Sequence, residues 1–302
     1  MTAAMARHGI LHATLITPNL QAACSAYLAQ LGLGVCERGE LDAAAAQLIG
    51  LDDLHGHAVA WLANDAGEPI LRLIEDVNAV PREPMFHHGW LALEVLVGNV
   101  DKLAAGLHAP FRVLGPPADL ELSPAIRATQ VLGPCGELLY LTQIKAAVPP
   151  FDLPMSDARV AHPFIGVMSS PDRSVSQAAW TALAGHDGWA FDTKITVLNR
   201  ALGKPLEGQY PVAVVPLAGQ CMVEIDQVEL STHISLGRRA GLHSLAWRLP
   251  AATGASREHW KLVGAFDDLA TGEHRVGLRG PAGEHVELLS KIDPRTNPAA
   301  TR

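Results

Sequence analysis

An imidazole and a carboxylate near the end of the chain are the residues whose positions first suggest chemistry. His243 stands near the head of the apolar stretch GLHSLAWRLP, and Glu287 stands in the middle of GPAGEHVELL. Both stretches have the composition of β-strands. Histidine nitrogens and carboxylate oxygens are common ligands of divalent metal ions in proteins. If the two strands face one concavity, His243 and Glu287 are predicted to bind a divalent metal there.

The composition of the chain limits its classes of partner. Its 302 residues carry a formal net charge of −8, whereas proteins that bind nucleic acid or anionic membranes need a basic face. No segment approaches the ~18 consecutive apolar residues of a membrane-spanning helix. The four cysteines are scattered and form no Cys-x-x-Cys pair, which predicts reduced thiols in a cytoplasmic protein. We therefore expect a small-molecule substrate as the partner, neither nucleic acid nor a membrane, and we leave open whether the chain forms a homodimer.

The elements that must position these residues repeat along the chain. The stretch ATLITPNLQAACSAYLAQLG (13–32) matches IGVMSSPDRSVSQAAWTALAG (165–185), and each has the pattern of a strand, a Ser/Thr-Pro helix start and an amphipathic helix stopped by glycine. Gly-Pro-x-Gly-Glu occurs at 133–137 and again at 280–284, and each copy has the pattern of a tight turn that enters a strand. The second half of the chain is therefore predicted to repeat the first.

Each half divides again into two units. The first unit has the pattern strand, helix, strand, short helix or loop, strand, strand, at 10–16, 20–31, 34–40, 42–49, 57–63 and 69–75. The other three units fit the same plan, so the predicted fold class is α+β, with four β-α-β-β-β modules. Val148–Pro154 carries three prolines, which is typical of a segment between packed units. We expect an N-terminal domain at 1–147 and a C-terminal domain at 148–302, each of two modules.

Four such modules in 302 residues resemble the vicinal-oxygen-chelate superfamily, which includes glyoxalase I, bleomycin-resistance proteins and extradiol dioxygenases. The resemblance covers 10–290, and it is carried by the strand-head histidines in ILHATLITP, HHGWLALEV and GLHSLAWRLP and by the closing GPAGEHVELL. It implies that the modules pair into two half-barrel domains around a metal. It also implies that the metal ligands come from the first and last strand of each paired module.

Carried over to this chain, the resemblance assigns two ligand positions to each module. The last-strand positions fall on or near Arg72, Tyr140, Glu224 and Glu287, and the first-strand positions fall on His12, His88, Ile165 and His243. With the third and fourth modules paired, Glu224, His243 and Glu287 would hold a divalent metal in the C-terminal domain, with Fe, Mn, Zn or Ni as the candidates. An arginine beside two histidines is a poor site for a divalent cation, so the N-terminal domain is expected to be structural.

Three functions remain open on this basis. In the first, the metal binds two neighbouring oxygens of a small substrate and Glu224 is the general base of a glyoxalase-, lyase- or isomerase-type reaction. In the second, the protein is an extradiol-type ring-cleaving dioxygenase. In the third, it is a non-enzymatic binding protein of the resistance type, with an apolar groove lined by four tryptophans, Trp180, Trp189, Trp247 and Trp260.

Overall fold

A computed structural model of the chain describes residues 9–80, 85–230, 240–248 and 256–292. Four successive modules make up this part of the chain. The elements of the first module are β1 (Ile10–Thr17), α1 (Leu20–Leu31), β2 (Gly34–Glu40), α2 (Ala43–Leu48), β3 (Ala58–Ala63) and β4 (Pro69–Glu75). Those of the second are β5 (Gly89–Leu96), α3 (Val100–Gly106), β6 (Arg112–Val113), β7 (Ala118–Asp119), β8 (Ile126–Leu132) and β9 (Leu138–Ile144).

The third and fourth modules follow the same plan. The elements of the third are β10 (Pro163–Ser170), α4 (Arg173–Ala184), β11 (Trp189–Lys194), α5 (Thr196–Ala201), β12 (Gln209–Leu217) and β13 (Cys221–Gln227). The strands of the fourth are β14 (Gly241–Arg248), β15 (Lys261–Asp268), β16 (Glu273–Arg279) and β17 (His285–Lys291). The helix expected in the fourth module, between β14 and β15, falls mostly on 249–255, outside the described residues. In the described part of the chain, no helix combines the length and apolarity needed to cross a membrane.

The repeat seen in the sequence has a direct structural counterpart in the caps of two helices. Asn19 accepts a hydrogen bond from a first-turn N–H of α1, and Asp172 accepts from the first turn of α4, which satisfies donors that a helix start leaves unpaired. Gly32 and Gly185 end these helices with φ of 76° and 74°, a left-handed conformation that glycine adopts without strain. Capping and termination are therefore repeated along with the hydrophobic pattern.

The modules pair in an order that the sequence analysis did not anticipate. The first sheet runs β15-β16-β17-β14-β1-β4-β3-β2 and joins the first module to the fourth, whereas the second sheet runs β11-β12-β13-β10-β5-β9-β8-β6 and joins the second to the third. The joins are antiparallel, between β1 and β14 and between β5 and β10. The predicted α+β class of four modules paired into half-barrels is confirmed, but the assumption that the third module pairs with the fourth is wrong.

The two sheets pack against each other through one face of each. A Cβ on Gly166 of β10 would lie 2.6 Å from Leu245 of β14, so glycine at this position allows the two sheets to approach closely. Trp90, Trp180 and Trp247 contact one another in the same region, with ring centroids 5.0–5.9 Å apart. We call these packed faces the outer faces of the half-barrels and the opposite faces the inner faces.

The repeated Gly-Pro-x-Gly-Glu turns fasten the helices of one sheet to the other sheet. Glu137 accepts a hydrogen bond from the hydroxyl of Tyr27 on α1, and Glu284 accepts one from the indole N–H of Trp180 on α4 at 3.2 Å. Burial raises the pKa of each of these carboxyls to about 7. The motif thus joins the first module to the second and the third to the fourth, although these modules do not share a sheet.

Candidate functional site

The predicted metal ligands Glu224, His243 and Glu287 are not brought together. Glu224 is on β13 of the second sheet, whereas His243 and Glu287 are on β14 and β17 of the first. Residues that alternate along a strand point to opposite faces. Glu224 and Glu287 therefore point away from the outer faces on which Gly166 and Leu245 meet. The two carboxylates lie on inner faces that are separated by both sheets.

His243 makes a local contact within the first sheet. Thr14 pairs with Ser244 and Leu15 pairs with Leu242, so His243 is an extra residue on β14, as in a β-bulge. Its Nε2–H donates to the carbonyl oxygen of Ile49 at 2.9 Å, and its ring stacks on His285 with centroids 4.9 Å apart. Instead of His243, the neighbouring Ser244 reaches Glu287, with its hydroxyl 3.2 Å from Oε1. His243 and Glu287 therefore do not act as a ligand pair here.

A buried polar cluster occupies the inner face of the first sheet. We call it the Arg72 cluster, and its members are His12, Thr14, Arg72, Ser244 and Glu287. The guanidinium of Arg72 forms an ion pair with Glu287 Oε1 and donates to Thr14 Oγ1 at 2.7 and 3.0 Å. His12 Nε2 lies 3.8 Å from the same carboxylate oxygen. Three of the positions carried over from the resemblance do meet here, but the cation among them is an arginine.

In the Arg72 cluster, the buried charges of Arg72 and Glu287 neutralise each other. Burial alone would raise the pKa of Glu287, but the adjacent guanidinium holds it far below its usual range. Burial lowers the pKa of His12, so its ring is neutral near pH 7. A divalent metal of the kind that the resemblance implied does not fit, because the Arg72 guanidinium already stands against the carboxylate that would bind it. The expected metal role of Glu287 has no support in this geometry.

Helix α2 and the residues after it cover the inner face of the fourth module. A Cβ on Gly277 of β16 would lie 1.7 Å from the carbonyl oxygen of Leu48, and a Cβ on Gly264 of β15 would lie 3.0 Å from that of Gln47. Glycine at both positions thus admits the helix backbone into direct contact with the sheet. Ala46 and Ile49 are almost completely buried in the resulting apolar cluster. The inner face of the fourth module is therefore covered by the protein itself.

The inner face of the second sheet is different, because it lines a cavity of about 480 Å³. Glu94 of β5, Tyr140 of β9 and Glu224 of β13 contribute polar side chains to its floor. Most of the remaining lining is apolar, and it includes the aromatic rings of Phe151, Phe164 and Phe191 and the side chains of Ile165 and Met222. A volume of this size accommodates a small organic molecule.

The carboxyl groups at the floor of the cavity have pKa values above the usual range of glutamate. Burial, and then the charge of Glu224, raise the pKa of Glu94 to about 8, while Thr142 donates its hydroxyl to Glu94 at 2.6 Å. Burial also raises the pKa of Glu224, to about 7. Burial, and then the charge of Glu224, raise the pKa of the fully buried Asp226 well above its usual range. The hydroxyl of Tyr140 is buried and has no hydrogen-bond partner in the described part of the chain.

The inner face of the second half-barrel also carries potential metal ligands. Glu94 and Glu224 supply carboxylate oxygens, which suit hard cations. Within residues 9–80, 85–230, 240–248 and 256–292, however, no three His, Cys, Asp or Glu side chains are placed to hold one ion. His88, the expected first-strand ligand of the second module, lies before β5, and its Nδ1 is 3.2 Å from the hydroxyl of Ser169. A three-ligand metal site therefore does not fit this inner face.

Segments from two modules and from the linker surround the mouth of the cavity. The ammonium of Lys194, at the end of β11, lies 2.5 Å from Glu121 in the β7–β8 loop. Phe151, from the proline-rich 148–154 segment, packs on Trp189 with ring centroids 5.2 Å apart. The segment expected to separate two domains thus forms part of the wall. The division at 147/148 stays a prediction, although each sheet combines modules from both sides of it.

Glu94 and the four tryptophans differ from what the sequence led us to expect. Sequence reasoning missed Glu94, although a lone carboxylate within the apolar strand GWLALEVL is a signal, because burying it is costly without a purpose. The predicted tryptophan groove does not exist: Trp180, Trp247 and Trp260 are buried in the core, and Trp189 packs on the linker.

Comparison with known proteins supports the fold. No protein-family model matches the chain, and no curated protein matches it in sequence. Among solved structures, glyoxalase I from Zea mays has a TM-score of 0.61 at 14% sequence identity, with 93% of this chain and 92% of that chain covered. A protein from Bacillus subtilis described as a putative dioxygenase has a TM-score of 0.59 at 12% identity, with 95% of this chain and 86% of that chain covered.

These likenesses extend over nearly the whole chain, as the resemblance in the sequence did, while the low identities carry no information about substrate. The four modules and their pairing into two half-barrels agree with them. The chain has the fold of the vicinal-oxygen-chelate superfamily.

Proposed function

We propose that the protein is an enzyme that moves protons on a small, largely apolar substrate bound in the second half-barrel. The observation that carries this proposal is the cavity of about 480 Å³ with two carboxyl groups of raised pKa at its floor. Groups that titrate near neutral pH are the ones best suited to give and take protons in catalysis. The reaction class is that of an isomerase or lyase acting beside a carbonyl or hydroxyl group.

The environments of the two carboxyl groups assign their roles. Glu94, with a pKa of about 8, is protonated near pH 7 and is the proton donor. Glu224, with a pKa of about 7, is the more readily ionised of the two and is the base. Pairs of carboxyl groups with differing proton affinity divide acid and base roles in this way. Glu224 is also the residue to which the sequence assigned the general base.

The proton transfer can be written with these residues alone. Glu224 removes a proton from the carbon next to a carbonyl, and the electrons of that C–H bond form a C=C bond. The carbonyl electrons move to oxygen, which takes a proton from Glu94. With an α-hydroxyketone the product of this step is an enediol; Glu224 then returns its proton to the former carbonyl carbon while the other hydroxyl gives its proton to Glu94 and becomes the new carbonyl, which completes an isomerisation. With a leaving group on the carbon beyond the deprotonated one, the enol hydroxyl returns its proton to Glu94 as the C=O bond re-forms, and the leaving group departs with its bonding electrons and takes the proton from Glu224, which completes an elimination. The apolar walls that Phe151, Phe164 and Phe191 contribute hold the substrate body and reduce its contact with water.

Hydrogen–deuterium exchange at carbon tests the proposal. A panel of small α-hydroxyketones and 2-oxoaldehydes with apolar substituents is incubated with the protein in D2O, and C–H signals are followed by NMR. We expect the wild type to exchange the proton of at least one compound, with and without EDTA. Glu224→Gln should slow that exchange by about 10²–10⁴-fold. Glu37→Gln, on an exposed strand of the other sheet, is the matched control and should have no effect.

A binding protein without catalysis is the second candidate, favoured by the predominance of apolar side chains in the cavity. The same panel separates the two candidates, because a binding protein would perturb ligand resonances without any exchange at carbon. Exchange that survives in both Glu94→Gln and Glu224→Gln would refute the catalytic proposal. Exchange that disappears with EDTA would refute its metal-free form.

A further inference from the structure

The Arg72 cluster lies in the first sheet, apart from the cavity of the second. Its members come from four neighbouring strands, β4, β1, β14 and β17, and all point to the inner face of the first sheet. Arg72 is 3% exposed and Glu287 is 1% exposed. A carboxylate buried to this degree needs a positive charge beside it. In this cluster the chain supplies that charge itself.

The remaining groups of the cluster are atoms that can bind a cation. Glu287 Oε1 accepts from Arg72, Ser244 and Thr14, whereas Oε2 is buried and has no hydrogen-bond partner among the described residues. His12 Nε2 is also buried, has no hydrogen-bond partner in the same part of the chain, and lies 3.8 Å from the carboxylate. The hydroxyl of Thr14 accepts both hydrogen bonds from the guanidinium. Nitrogen and oxygen lone pairs thus surround the guanidinium of Arg72.

Other side chains of the protein cover the Arg72 cluster on the side that faces away from the sheet. The ring of Trp61 lies over the guanidinium, with its centroid 5.5 Å from Arg72 Cζ, and the edge of His12 packs on the same ring at 4.7 Å. Helix α2 fills the neighbouring part of the inner face. The enclosure fits a planar, delocalised cation held permanently, since guanidinium is weakly hydrated and stacks on aromatic rings.

We propose that the first half-barrel contains a cation-binding site whose resident cation is the guanidinium of Arg72. Removal of that side chain opens a site, lined by His12, Thr14, Ser244 and Glu287, for a free guanidinium ion or for a divalent metal with nitrogen and oxygen ligands. The site is structural in the natural protein because its own arginine keeps it filled. It is independent of the cavity in the second half-barrel.

Cation rescue of an arginine-deletion variant tests this proposal. The full chain is prepared as wild type, Arg72→Ala and Arg127→Ala, in which Arg127 is a surface arginine paired with Asp101 and Asp119. Melting temperatures are measured with ZnCl2 or with low-concentration guanidinium chloride, against NaCl of equal ionic strength. We expect the melting temperature of R72A to rise by about 2–4 °C with either cation. Wild type and R127A should not respond.

A second variant covers the case in which R72A does not fold. Arg72→His places a further imidazole beside His12 and Glu287, and two histidines with a carboxylate are a known ligand set for divalent metals. After incubation with zinc and dialysis, R72H should retain stoichiometric zinc by elemental analysis, and R72H/E287Q should lose it. The proposal is overturned if the cations stabilise R72A no more than wild type, or if R72H retains no more zinc than R72H/E287Q.

Discussion

The two half-barrels have matching strand orders and opposite electrostatics. In the first sheet the last strands of the two modules carry Arg72 and Glu287, which neutralise each other. In the second sheet the corresponding strands carry Tyr140 and Glu224, and Glu94 lies beside them. The pKa of Glu287 is lowered, whereas those of Glu94 and Glu224 are raised. On the first inner face the charges of Arg72 and Glu287 neutralise each other. The second inner face keeps carboxyl groups that can exchange protons with a ligand.

The two inner faces also differ in the residues that determine whether a cavity is present. Gly277 pairs with Glu287 in the first sheet and admits the backbone of α2. The corresponding residue of the second sheet is Gln130, which pairs with Tyr140 and lines the cavity. Helix α5, the counterpart of α2, contributes Thr196, Val197 and Arg200 to the wall instead of filling the space. The missing Cβ atoms of Gly264 and Gly277 thus let α2 cover part of the first inner face, whereas Gln130 and α5 border the cavity of the second.

The ion pair of the first half-barrel gives the largest expected effect. Arg72→Met leaves Glu287 buried without a counter-charge and should lower the free energy of unfolding by about 3–5 kcal/mol. The double variant R72M/E287M replaces the pair by apolar groups and should recover most of that loss. Urea unfolding at pH 7 measures both. An equal loss of unfolding free energy in the single and double variants would show that the unpaired charge of Glu287 is not what destabilises Arg72→Met.

The contact between α2 and the first sheet gives an intermediate effect. Gly277→Ala places a Cβ against the carbonyl oxygen of Leu48 and should destabilise the protein by roughly 1–3 kcal/mol, the usual cost of overpacking. Gly39→Ala on β2 is the matched control, because a Cβ there meets no atom of the described residues within 4 Å. Similar melting temperatures for the two variants would mean that the helix does not fill the inner face as described.

The pH dependence of stability gives the smallest change per step, at most about 1.4 kcal/mol per pH unit for one group, and compares the two inner faces directly. A carboxyl group with a raised folded-state pKa stabilises the fold below its unfolded pKa, and that contribution is lost as pH rises through the folded value. For Glu94 the loss should extend to about pH 8, and Glu137 and Glu284 should add to it near pH 7. Glu287 acts in the opposite direction, because its contribution is present above its unfolded pKa and is lost only in strong acid.

The variant Glu94→Gln isolates the contribution of the cavity carboxyl Glu94 to the pH dependence of stability. Unfolding free energies of this variant should fall less steeply between about pH 5 and pH 8 than those of wild type, by up to about 1.4 kcal/mol per pH unit for one proton. Glu37→Gln, which changes an exposed glutamate, should follow wild type. Parallel curves for wild type and E94Q would contradict the raised pKa and weaken the assignment of Glu94 as proton donor.

Local elements of the fold could be predicted closely from the sequence. The predicted helix at 20–31 and the strands at 34–40 and 69–75 have the observed bounds. Hydrophobic periodicity and stop signals act within a few residues, so they can be recognised without knowing the fold. The strand-head position of His12 and the last-strand positions of Arg72 and Glu287 were also identified. The predicted ligand set failed at Glu224, because that residue was assigned to the wrong sheet.

The sequence by itself determined the four modules, their repeat and the polar residues that stand on their first and last strands. Only the tertiary structure decided which modules share a sheet, and therefore that Glu287 meets Arg72 while Glu224 meets Glu94. Pairing joins strands more than 200 residues apart, such as β1 with β14, and no local pattern encodes such a choice. It depends on the burial of the outer faces and on the turns at Glu137 and Glu284 that fix each module against its neighbour.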